Sequence, residues 1–337
     1  MSDSYNVQTI SFFQSNNSTP PVTTSGYANT MTVQLPVPIE LVDSEVALSS
    51  IFCYYSWPNI SDQLQNNKFS YTVPTAAGSW VGTDFNVETT KTLGKIDDGL
   101  YTIDDLNNVL AFTFKNNGHY YLDGNGSEVY PITLQVNPAT YRITATFSKL
   151  YNPLPTGWAN APGSPAAFTS LNNVILRLNI PTTSYPAGSS SGFGMSSISR
   201  IFGVAVGTWP SDTEKTTPDS TVDISYSSTF VPSVSNTNCV NVTCNLVNAS
   251  KISPVAGNII YSFAPNSTSG TLVQEKPNNL IWLPVTDGKY GQIQITLETD
   301  SFIPLQIQDP AVSCTLMLRT KRSASRQKRG YDAAMSL

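Results

Sequence analysis

Residues 290–298, YGQIQITLE, alternate in side-chain character at almost every step. Ile293, Ile295 and Leu297 fall on one side of an extended chain and Gln292, Gln294 and Thr296 on the other, because successive side chains of a strand point to opposite faces. A strand with one dry and one polar face belongs to a sheet that packs on one partner sheet. Working outward, FIPLQIQ (302–308) and SCTLMLR (313–319) carry the same pattern downstream. Upstream, RIFGVAV, VDISYS, NCVNVTCNLV, NIIYSFA, TLVQE and LIWLPV are short apolar runs separated by turn residues. Such a series predicts a sandwich or jelly roll. Asp300 and Asp309, on either side of FIPLQIQ, read as strand terminators, since no calcium-loop pattern surrounds them.

The other half is also strand-rich. VQTISFF, TMTVQL, the long apolar run EVALSSIFCYYSW (45–57) ended by Pro58, and NKFSYTV (67–73) precede one convincing helix, KIDDGLYTIDDLNNVLAFTFKNN (95–117). Ile103, Leu106, Leu110 and Phe114 recur at helical spacing and predict one buried side. Thr102 is placed to cap the first turn with Asp105, and Gly118 to stop the last. Beyond it, VYPITLQV and TYRITATF are separated by Asn137 and Pro138, as in a hairpin.

At 337 residues the chain exceeds the roughly 250–300 at which one core stops growing, so two cores or one core with a large insertion are expected. The fold class predicted is all-β: a jelly-roll β-sandwich with a second β-rich domain or insertion and one short helix. Composition suggests an N-terminal arm at 1–25, a β-rich half with the helix at 26–150, a loop-rich connection at 151–192, a sandwich half at 193–318 and a basic tail at 319–337.

Charged residues are only 12%, half the share usual in soluble domains, so Asn, Ser, Thr and Gln must solvate the surface. That composition suits large protein contacts, which do not tolerate buried unpaired charge. Six of the 18 basic residues, Arg319, Lys321, Arg322, Arg326, Lys328 and Arg329, lie in the last stretch with a single acid, Asp332, although the net charge is −5. The body is therefore acidic and the tail cationic, a pattern suited to nucleic acid or an acidic surface. No basic-then-apolar leader is seen near residue 1 and no run approaches the ~18 apolar residues of a membrane span, so an intracellular product without a span is expected.

Catalytic constellations are missing from the sequence. His119, the single histidine, follows the helix-stopping glycine and has no triad or metal partners in pattern. Cys53, Cys239, Cys244 and Cys314 read as free, mostly buried thiols. Asp97, Asp98, Asp104 and Asp105 form the densest acidic cluster, but turn formation and the helix N-terminus account for them. GFGMSS (192–197) lacks the third glycine of a dinucleotide loop. The five tryptophans are scattered, and the Asn-x-Ser/Thr triplets at Asn59, Asn125, Asn241 and Asn266 are what a chain so rich in these residues produces by chance. No enzyme and no cofactor is expected.

Several segments, in a consistent order, resemble the minor capsid (penton) proteins of virophages and Polinton-like viruses: EVALSSIFCYYSWPNIS, NNKFSYTV, DDGLYTIDDLNNVL, VYPITLQVN, ISRIFGVAVGTWP, NCVNVTCNLV, LIWLPVTDGKYGQIQITLETD and FIPLQIQDP. The DG-x-Y-x-IDDLN element is the most specific. This resemblance implies a jelly-roll subunit of the virion that forms homopentamers at icosahedral vertices, meets a major capsid protein, and often projects a second β domain. The six basic residues of the tail then become candidates for contact with packaged DNA or the capsid interior. Two other readings remain open: a small double jelly-roll major capsid protein, which would be a trimer, and a host-attachment or carbohydrate-binding sandwich.

Overall fold

The computed structural model describes residues 5–14, 29–62, 64–90, 94–181, 197–233, 237–247, 258–268, 270–300, 302–309 and 311–321. Its contacts divide the chain into two units, Met1–Trp57 with Thr237–Leu337, and Pro58–Asn236 between them. The first unit opens with β1 (Tyr5–Gln14), β2 (Thr30–Leu41) and β3 (Ser44–Tyr54). The second comprises β4 (Ser70–Pro74), β5 (Gly82–Asn86), α1 (Ile103–Asn117), β6 (Tyr121–Leu122), β7 (Glu128–Val129), β8 (Ile132–Val136), β9 (Ile143–Phe147), β10 (Ala159–Asn160), α2 (Ala166–Thr169), β11 (Arg177–Ile180), α3 (Ser197–Phe202), β12 (Gly207–Trp209) and β13 (Ile224–Ser227). The first unit then resumes with β14 (Val240–Cys244), β15 (Ile259–Phe263), β16 (Leu272–Glu275), β17 (Leu283–Pro284), β18 (Gly288–Thr299) and β19 (Val312–Lys321).

The first unit is a jelly roll. One sheet runs β1-β19-β3-β16, with β17 also on β3, and the other runs β15-β14-β18-β2. With β16 and β17 sharing one place, the eight positions of the unit lie in the order 1-8-3-6 and 2-7-4-5, the two interleaved Greek keys of that architecture. Alternation explains why the sheets face each other. Ile293, Ile295 and Leu297 of β18 are fully buried, as are Ile51 of β3, Leu316 and Cys314 of β19, and Val240 and Val242 of β14. Each such aliphatic side chain contributes about 1.5–3 kcal/mol by leaving water. On the polar side of β18, Gln34 Nε2 donates to Gln292 Oε1 across the strand pair at 2.9 Å. The edge strand β2 is interrupted: Tyr290 pairs with Ile39 but Gln292 with Gln34, so Leu35–Pro38 loop out. Prolines 36 and 38 suit such a bulge because they offer no ladder N–H.

The second unit holds three smaller sheets, β12-β11-β4-β5, β13-β9-β8 and β10-β6-β7, around its own core. Helix α1 covers the edge of β8, and Leu134 N–H donates to Asn107 Oδ1 at 2.8 Å. The helix is capped as its sequence predicts. Thr102 Oγ1 accepts from Asp105 N–H at 3.2 Å and Asp105 Oδ2 accepts from Thr102 N–H at 2.9 Å. Gly118 is left-handed at φ 67°, which a glycine adopts without strain. Leu106, Leu110 and Phe114 are fully buried and Ile103 nearly so. A buried amide network fixes the approach to the helix: Asn59 exchanges two 2.8 Å hydrogen bonds with the Tyr101 backbone, and Asn66 Nδ2 donates to Asn59 carbonyl at 2.6 Å.

Several expectations are corrected. The boundary does not fall in 151–192; the units meet at Trp57/Pro58 and Asn236/Thr237. Prolines and glycines mark turns inside a domain as readily as between domains, and here Leu150 and Asn173 exchange hydrogen bonds with Val174 and Leu150 while Phe168 is fully buried in the second core. RIFGVAV is not a strand: Ile198, Ile201 and Phe202 are buried at helical spacing in α3. There are three helices among the described residues, not one. FIPLQIQ forms no strand either, only the bridge of Pro304 to Glu298, although Leu305 and Ile307 are buried. Nor are the ends free arms throughout. Tyr5–Gln14 pairs along its whole length with Val312–Lys321, which includes the first three residues of the expected tail.

Candidate subunit interface

The outer face of the β1-β19-β3-β16 sheet is set by the same alternation that builds the core. With Leu316 and Leu318 turned inward, Met317 and Arg319 face outward, opposite Thr9 and Val7 on β1 and Ala47 and Glu45 on β3. Farther along, Phe52 lies opposite Gln274, and Tyr54 opposite Leu272. Val7, Leu272 and Tyr54 are 48%, 47% and 38% exposed. The charges on this face are held close. Arg319 Nε donates to Glu45 Oε2 at 2.5 Å, and its guanidinium carbon stands 4.2 Å from the Trp282 ring centroid. The Lys276 ammonium lies 5.7 Å from the Phe52 ring centroid. Aromatic residues and arginine with few free charges are the composition of an interface core.

Arg319 is therefore committed to the sheet rather than extended on a tail. Lys321 is the last residue of β19, opposite Tyr5, while Arg322, Arg326, Lys328 and Arg329 lie outside the described residues. Glu45 and Trp282 are the partners that sequence reasoning missed. Their only signal is register, since Glu45 and Arg319 become neighbours across a pairing that spans most of the chain.

The residues capable of chemistry have structural occupations. His119 is 2% exposed and packs against Phe85 and Phe168 at 4.6 and 5.0 Å between ring centroids. Asn117 Nδ2 donates to the Tyr71 hydroxyl at 3.1 Å, and that hydroxyl lies 2.8 Å from His119 Nδ1. The hydroxyl and Nδ1 share one proton along this line. Burial pushes the imidazole pKa down to about 4. The helix cap at this residue is its backbone, whose N–H donates to Phe114 carbonyl at 2.9 Å. Cys53, Cys244 and Cys314 are buried thiols; burial raises the first to about 12 and the second to about 11, and raises the third as well. Among the described residues no three His, Cys, Asp or Glu side chains stand ready for a metal ion.

Asp105 completes the capping box of Thr102 and Asp98 Oδ1 accepts from Asp62 N–H at 2.8 Å, so two of the four acids are engaged in local backbone contacts. Each tryptophan is engaged where it sits: Trp57 stacks on Tyr55 at 4.2 Å, Trp80 lies under Arg177 at 4.7 Å, Trp158 packs on Tyr151 at 5.3 Å and Trp209 meets Phe147 edge-on at 6.1 Å. Asn59 and Asn241 are 3% and 6% exposed, so neither triplet presents a free amide. The second unit also has a shallow polar cleft of about 520 Å³ lined by Asn172, Asn173, Lys215, Asp219, Ser220 and Thr221. No helix among the described residues is long and apolar enough to cross a membrane.

No family model and no curated protein matches the chain. Among solved structures, a mavirus penton protein is similar at a TM-score of 0.44 and 7% identity, over 95% of this chain and 100% of that one. A likeness of that size carries no argument about function.

Proposed function

We propose that this chain is a structural capsid subunit, a penton that assembles as a homopentamer at the vertices of an icosahedral virion beside a major capsid protein. The observation that carries the reading is the jelly-roll strand order, 1-8-3-6 and 2-7-4-5, combined with an outer sheet face on which Arg319 is paired with Glu45. The ordered sequence segments that resemble virophage and Polinton-like penton proteins support the vertex role. A heterologous ring needs two different patches per subunit, and a surface solvated by Asn, Ser and Thr can supply them without stranding charge. The role is structural rather than catalytic, and Lys321, Arg322, Arg326, Lys328 and Arg329 are the residues proposed to reach the capsid interior or packaged DNA.

A double jelly-roll reading is less well supported, because the sheets of the second unit do not repeat the strand order of the first. The attachment reading has one observation in its favour, the polar cleft at Asn172 and Lys215, which could take carbohydrate hydroxyls. Light scattering on the full chain separates these. Five copies are expected; three would favour the major-capsid reading, and a monomer that binds glycans would replace the proposal with attachment.

A further inference from the structure

Two of the four outer strands of the jelly roll, β1 and β2, are treated differently by the sequence. β2 carries Pro36 and Pro38 in a bulge with Val37 72% exposed, a device that blocks edge-to-edge pairing. β1 has no such protection. YNVQTISFFQ contains no charge, proline or glycine over ten residues, among the described residues it is hydrogen-bonded on one side only, to β19, and Asn6–Thr9 are exposed. A long uncharged strand on an open edge is a template for another strand.

We propose that β1 pairs, through this open edge, with the open edge of β16 in a second copy of the chain, so that one sheet continues from subunit to subunit. The opposite edge of the same sheet fits this occupant. Among the described residues β16 is hydrogen-bonded to β3 alone, it exposes Leu272 as β1 exposes Val7, and its one charge, Glu275, accepts a hydrogen bond from the Tyr261 hydroxyl at 3.0 Å. β1 therefore brings no charge to the contact, and β16 only one, which already accepts a hydrogen bond. Different edges on one subunit make the contact head-to-tail, which yields a ring when the rotation closes. The inference rests on the assembly reading above and names its contact.

The test uses the full-length chain with Cys239→Ser to remove the one partly exposed thiol. In T9C/L272C protein, a bis-maleimide of about 8 Å is too short to join the two thiols within one chain, since β1 and β16 stand three strand spacings apart, about 14 Å. A ladder of covalent oligomers is expected, with none from L272C alone. Dimers from T9C alone would mean that β1 pairs with β1 and would overturn the head-to-tail contact. Independently, T9K/S11K should weaken assembly at least tenfold by light scattering while leaving the melting temperature of the monomer unchanged. If the unsubstituted protein assembles and the lysine variant assembles equally well, the edge contact fails and the capsid reading stands. If the unsubstituted protein stays monomeric at all concentrations, both fail.

Discussion

The jelly-roll unit and the inserted unit solve the burial problem in different ways. The first uses long strands whose alternating aliphatic residues meet across two sheets, as β18 and β19 do with Ile295 and Leu316. The second has short strands and relies on large rings: Tyr71, Phe114, Phe147 and Phe168 are all fully buried, and Tyr71 and Phe114 lie 4.5 Å apart between centroids. Small aliphatic layers tolerate repacking, whereas an aromatic cluster with polar atoms inside it depends on each hydrogen bond being kept. The inserted unit should therefore be the more sensitive of the two, to substitution and to pH.

The largest expected difference is in core truncation. Phe114→Ala should cost about 3–5 kcal/mol and Leu297→Ala about 2–5 kcal/mol. Hydrogen exchange read peptide by peptide would assign each loss to its own unit, and equal loss across both units for either variant would erase the distinction.

Acid should separate the units next. Unfolded histidine titrates near 6.5 and His119 near 4, so between those values the unfolded chain binds the extra proton. Stability then falls as pH drops through this window, by about 3 kcal/mol once pH is below 4. The jelly-roll unit contains no histidine and should lack this component. His119→Phe would remove the slope between pH 6.5 and 4 in the second unit if the assignment is right, and a slope that persists would place its origin elsewhere.

Smaller effects sharpen the same contrast. Thr102→Ala removes one half of the capping box of α1 and should cost about 1 kcal/mol in thermal unfolding of the second unit. Arg319→Lys loses the planar stack on Trp282 and the Nε bond to Glu45, yet both lie at a partly exposed surface, so stability should fall by no more than about 1 kcal/mol. A larger loss of stability would identify the pair as part of the fold rather than of a contact face.

Much of the architecture was legible because local pattern and tertiary need agree in it. The period-two run of β18 and the capping residues of α1 each state their structure within a few residues. What stayed hidden depends on distant partners. Residues 302–308 alternate like a strand, but Pro304 offers no N–H and the segment finds only one bridge. The apolar run around Ile198 reads equally well with either period until the core decides. The joints at Pro58 and Thr237 do not stand out from the many Pro-, Ser- and Asn-rich turns of the chain, because the inserted unit leaves close to the end of one sandwich strand and returns close to the start of another. The candidate interface was the least legible part, because Arg319 looks like the beginning of a basic tail until β19 sets it beside Glu45.

The pairing of β1 with β19 also has a consequence in time. Phe12 lies opposite Cys314, so β1 must wait for a partner that is synthesised about 300 residues later. At ribosomal rates of about 5–20 residues per second, roughly 15–60 s separate their synthesis. Residues 58–236 leave the ribosome within that interval and can complete their own core first. The jelly roll closes only once β19 has been made, and until then an uncharged ten-residue strand stands in the nascent chain without its partner.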